Sequence, residues 1–85
     1  MHTKCITIRL QDPEGLHVRN SAQIFAAAGK LNAEIRLCTG EKIARADRMM
    51  ELMALEARAG NLIEIQADGE EEEEAVAVLT RILQR

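Results

Sequence analysis

The sequence predicts an α+β domain in which one antiparallel sheet carries all of its helices on a single face. Three observations lead there. Runs that alternate apolar and polar residues recur four times, helical three- and four-residue spacing recurs three times, and the two kinds of segment interleave in the order β-α-β-β-α-β-α. Alternating strands have one apolar and one polar face, so the helices belong on one side and the other side is open to water. The 85 residues form one domain, residues 1–85, with no linker and no repeat.

Taken in order, Thr3 to Leu10 alternates, with Ile6, Ile8 and Leu10 facing one way and Cys5, Thr7 and Arg9 the other. Gln11-Asp12-Pro13-Glu14-Gly15 is a cluster of turn residues. From Val18 to Ala28 the period becomes helical: Val18, Ala22, Phe25 and Ala28 make the expected inward stripe, Phe25 is expected in the core, and Gly29 is expected to end the helix as a left-handed cap. Ala33–Cys38 and Lys42–Ala46 read as a hairpin joined at Thr39-Gly40. Arg48 to Leu55 is a short helical stretch with Met49, Met50 and Met53, and Leu62 to Ala67 is the most strand-like run. The last segment, Glu70 to Arg85, sets Ala75, Val76, Leu79, Ile82 and Leu83 at helical spacing, with glutamates first and Arg81 and Arg85 last, the polarity a helix dipole favours.

Composition excludes several classes. A net charge of −3 argues against nucleic acid, and Phe25 is the one aromatic side chain available for stacking on bases. No apolar run approaches the ~20 residues of a membrane span, and Met1-His2-Thr3-Lys4-Cys5 lacks the apolar core of a signal peptide, so a cytoplasmic protein is expected. Cys5 and Cys38 show no CxxC spacing and are expected as reduced thiols on the open face of the sheet. His2, His17, Cys5 and Cys38 share no metal-site spacing, so no metal and no cofactor is expected.

Chemistry concentrates in Gly15-Leu16-His17-Val18-Arg19. A histidine between a glycine-bearing turn and a helix start meets unpaired backbone N–H groups and partial positive charge, which favour a neutral imidazole with a free lone pair. The same N–H groups can hold a phosphate attached there, and Arg19 adds a fixed cation. Such a histidine is a nucleophile suited to phosphoryl transfer, although a helix-capping or merely solvated histidine is the commoner reading of the local pattern, and position and charge alone do not choose between them. Met49, Met50 and Met53, at i, i+1 and i+4, cannot all face inward; either they fill the core in part or they form an adaptable docking patch. Glu70 to Glu74 read as a solvated first helical turn.

Gly15-Leu16-His17-Val18-Arg19, followed by Ala22 and Phe25, resembles the active-site motif Gly-Leu-His-x-Arg-Pro-Ala of the histidine-containing phosphocarrier (HPr) family. The likeness extends over nearly the whole chain, through its length, its element order, the Met-rich second helix and Ala67-Asp68-Gly69-Glu70 before the last helix. It implies an open-faced β-sandwich of four antiparallel strands under three helices. It also implies a carrier that takes a phosphoryl group from enzyme I, charged by phosphoenolpyruvate, and passes it to a IIA-type protein. His17 matches the histidine phosphorylated on Nδ1, and Arg19 the arginine beside the phosphoryl group. Met49, Met50 and Met53 match the docking patch, and a monomer suits a shuttle.

Three departures accompany the likeness. Asn20 stands where the motif has proline, which implies less preorganisation around His17. Arg48 stands where many Gram-positive members carry a regulatory serine, so that phosphorylation switch is expected to be missing. Asp47, Glu51 and Glu56 make the second helix more acidic than usual, which implies weaker steering toward acidic partners. These departures also suit an alternative, a regulatory module of the same fold that docks partners without phosphoryl transfer.

Overall fold

The computed structural model describes residues 3–85 and realises the expected order: β1 Lys4–Arg9, α1 Val18–Lys30, β2 Glu34–Thr39, β3 Lys42–Arg45, α2 Met49–Ala54, β4 Leu62–Asp68 and α3 Glu72–Leu83. The four strands form one antiparallel sheet in the order β1-β4-β2-β3. Its register stacks the inward residues in rows: Ile8 opposes Ile63, Ile65 lies between Ile6 and Leu37, and Leu37 also opposes Ala44. Because strand side chains alternate, each of these rows lies on the helix side while Cys5, Thr7, Cys38, Glu64 and Gln66 share the other face. Cys5 and Cys38 are both free thiols on that face. No helix among the described residues is long and apolar enough to cross a membrane.

The core forms where α1 and α3 lie over the sheet, with Leu10, Ile24, Leu37, Leu52, Ile63, Ile65, Leu79 and Leu83 almost wholly withdrawn from water. In α3 the inward stripe is the one read from the sequence: Ala75, Val76, Leu79, Ile82 and Leu83 are all buried. Ile6 differs from its expected burial, at 38% exposed, on β1, which is an edge strand with a neighbour on one side only. The Thr39-Gly40 turn is present, with Gly40 at φ +58.

α1 departs from expectation in two ways. Its buried residues are Asn20, Ser21 and Ile24, while Val18 is 64% and Phe25 44% exposed; Phe25 is a surface residue. Successive helical residues are ~100° apart, so burying Ile24 turns Phe25 outward, and a helix with several small apolar residues offers more than one stripe of similar polarity. Gly29 does not end the helix, which continues to Lys30 and closes at Leu31 in extended conformation. Ala27, Ala28 and Leu31 pack on the core and carry the helix through the glycine.

α2 is shorter than the periodic stretch that predicts it and buries only Leu52. Met50 is 82% exposed, and Met49 and Met53 are half-buried.

Candidate functional site

The residues between β1 and α1 are held at both ends. Leu10 N–H donates to the Asn61 carbonyl and the Leu10 carbonyl accepts from Gly60 N–H, and further on Leu16 N–H donates to the Ala57 carbonyl at 2.9 Å. Between these anchors Gly15 N–H donates to the Asp12 carbonyl, closing a turn with Pro13 at its second position, where a fixed φ is favourable. Gly15 sits at φ +75, and a Cβ there would fall 2.5 Å from the Ala57 carbonyl oxygen. Glycine is thus required twice, by backbone conformation and by the approach of the segment after α2. These constraints bring the chain into α1 with His17 as its first, capping residue.

His17 is an extended N-cap, φ −132 and ψ −178, and its Nδ1 accepts from Arg19 N–H at 3.2 Å. A reciprocal bond runs the other way: His17 N–H donates to Asn20 Oδ1 at 2.8 Å. Asn20 is almost fully buried and its side-chain amide also donates to the Gly15 carbonyl at 3.0 Å. The expectation of looser organisation at Asn20 is therefore overturned: where proline would fix only its own φ, Asn20 ties the turn, the histidine backbone and the helix start together.

The other ring nitrogen has a partner that the sequence reading missed. His17 Nε2 and Asp12 Oδ2 are 2.8 Å apart, with about a quarter of each side chain exposed. Asp12 Oδ1 accepts from Glu14 N–H at 2.9 Å, so the carboxylate is fixed at both oxygens. That backbone bond, followed by the one to His17, holds the Asp12 carboxyl below the usual carboxylate range. The available signal was Asp12 itself, an Asx residue opening a turn two positions before the N–H it caps. Asp12, Glu14 and His17 bring potential ligand atoms within 4.8 Å of one another, and Asp12 and His17 are hydrogen-bonded to each other there.

Arg19 lies in the first turn of α1 with an exposed side chain. Arg48 is the N-cap of α2, makes no side-chain cap and lies 3.8 Å from Glu51. The acids of this region are paired with cations: Asp47 with Arg45 at 2.9 Å and Glu56 with Lys42 at 3.3 Å, while Glu51 also accepts from Arg45 N–H. His2 lies outside the described residues.

A family model described as "PTS HPr component phosphorylation site" matches residues 4–85. The phosphocarrier protein HPr of Haemophilus influenzae is 36% identical over 69 residues, 81% of each chain. Among solved structures, HPr-C-His of Thermoanaerobacter tengcongensis superposes with a TM-score of 0.89 at 31% identity, covering 95% of this chain and 91% of that one. The HPr of Bacillus anthracis gives 0.91 at 26% identity, covering 96% and 98%. Sequence and fold agree over almost the full length, and the chain belongs to the HPr family of phosphocarriers of the phosphoenolpyruvate-dependent phosphotransferase system.

Proposed function

We propose that the chain carries a phosphoryl group on Nδ1 of His17, taking it in the cytoplasm from phosphorylated enzyme I and delivering it, as a monomer, to a IIA-type protein. The observation that carries this reading is the placement of Nδ1 at the N-terminus of α1, where it accepts from Arg19 N–H at 3.2 Å. In the transfer step the Nδ1 lone pair attacks phosphorus, the donor's P–N bond breaks, and its electron pair returns to the donor imidazole. The Arg19 N–H is released from Nδ1 as that lone pair is used and can then donate to a phosphoryl oxygen, with the partial positive charge of the helix behind it. The Arg19 guanidinium is near enough in sequence to offset the phosphoryl charge as it arrives. Met49, Met50 and Met53 would serve as the adaptable apolar contact with donor and acceptor in turn.

Incubation with phosphoenolpyruvate and the cognate enzyme I should add one acid-labile phosphoryl group, seen by intact mass, and His17→Ala should abolish it. A wild-type chain left unmodified overturns the proposal.

A further inference from the structure

The two ring nitrogens of His17 are told apart by their surroundings. Nδ1 faces a backbone N–H, which can only donate, so Nδ1 must present its lone pair. Nε2 faces Asp12 Oδ2 at 2.8 Å, and an ionised carboxylate can only accept, so Nε2 must carry the proton. The carboxylate is itself oriented, because Glu14 N–H occupies Oδ1 and leaves Oδ2 to the ring. The turn that supplies both groups is closed by the Gly15 N–H to Asp12 carbonyl bond.

From this geometry we propose that Asp12 is a positioning residue for phosphoryl transfer, holding the His17 imidazole in the Nε2–H tautomer and stabilising the imidazolium formed when Nδ1 is phosphorylated. This inference rests on His17 being the phosphoryl acceptor. When Nδ1 attacks phosphorus and the donor's P–N bond breaks, the Nε2 proton stays on the ring, which gains a positive charge beside the Asp12 carboxylate. On delivery the acceptor's nucleophile attacks phosphorus, the Nδ1–P bond breaks, and its electron pair returns to Nδ1. Because Nε2 is still protonated, the leaving group is a neutral imidazole rather than an imidazolate. The same division of labour, a carboxylate fixing tautomer and orientation while the far nitrogen reacts, operates in the serine protease triad.

The test is Asp12→Asn in the full chain. Asn keeps an oxygen for Glu14 N–H but turns an NH₂ group toward Nε2, favouring the proton on Nδ1 instead. Two readouts are taken: long-range ¹H–¹⁵N correlation of the His17 ring at alkaline pH, and single-turnover phosphorylation by phosphorylated enzyme I. Wild type should show the Nε2–H tautomer; the variant should shift toward Nδ1–H and accept phosphoryl at least about tenfold more slowly, the lower end of what removing a hydrogen-bonded partner of a metal-bound histidine costs. Unchanged donor KM is expected, since Asp12 acts on the ring rather than on docking. A wild-type chain that is phosphorylated, with a variant matching it in rate or tautomer, overturns this inference alone. A wild-type chain that takes no phosphoryl group overturns the acceptor role of His17, and the role of Asp12 with it.

Discussion

Asn20 carries more of the site than its place in the motif suggests. Its side chain accepts from His17 N–H and donates to the Gly15 carbonyl while being 5% exposed, so neither partner has water as a ready substitute. Replacing it with alanine leaves a donor and an acceptor unpaired at the helix start. Asn20→Ala should cost about 1–2 kcal/mol, from the lost cap and the stranded backbone groups. For a domain of this size that is a fall of roughly 5–15 °C in Tm, readable by circular dichroism. A variant melting with the wild type would mean that the observed bonds contribute nothing net. Gly15 is constrained more severely, because φ +75 and the 2.5 Å approach to Ala57 act on one residue.

At the scale of elements, α2 combines anchoring and exposure. Leu52 fixes it to the core, and Leu55 just beyond is also buried. Met50, 82% exposed, contributes little to folding. A large flexible apolar side chain in water is more useful as a contact than as filler. Met50→Ala should therefore leave Tm unchanged and raise the KM for phosphorylated enzyme I about fivefold with kcat unaltered, the size of a modest interface contact. An unchanged KM would remove Met50 from the docking surface. The acidity of this region is less consequential than its composition implies, since Asp47 and Glu56 each have a cation within 3.3 Å and Glu51 has Arg48 at 3.8 Å. Exposed pairs of this kind add little stability but offset the negative charge of these three residues.

For the whole molecule, charge enters through its dependence on pH. Asp47 is held below the usual carboxylate range first by its hydrogen bond to Arg45, and Asp12 by the Glu14 N–H and then His17. In the unfolded chain both titrate near ~3.9, so over the interval below that value the unfolded state binds more protons and stability rises with pH. Their contribution is complete above about pH 5 and disappears as pH falls through the lowered native values. The Tm difference between wild type and Asp47→Asn should accordingly narrow as pH drops from about 5 to about 3. A difference that stays constant across that range would show that the Arg45 pair does not act through ionisation. The net charge of −3 is compatible with a carrier because the working charge is local. The site itself asks little of size: a phosphoryl group on a surface imidazole does not have to be enclosed.

Element order, one-sided layering and the inward faces of β1 and α3 were legible along the chain. Strand alternation and the α3 stripe are local periodicities that a single segment carries. The sequence also singled out His17 and Arg19, because a turn, a histidine and a helix start are adjacent along the chain. Relations between segments, and the rotation of a helix about its axis, were fixed by packing. The rotation of α1 is one case: the stripe read from the sequence put Phe25 inward, and the packing of α1 against the sheet and α3 buried Ile24 instead. Asp12 meeting Nε2 depended on how a five-residue turn folds back on its own helix, and the Gly15 constraint depended on Ala57, far along the chain. Periodicity reports which side of an element is apolar; it carries no information on where a turn aims a carboxylate, and that aim distinguishes the two nitrogens of His17.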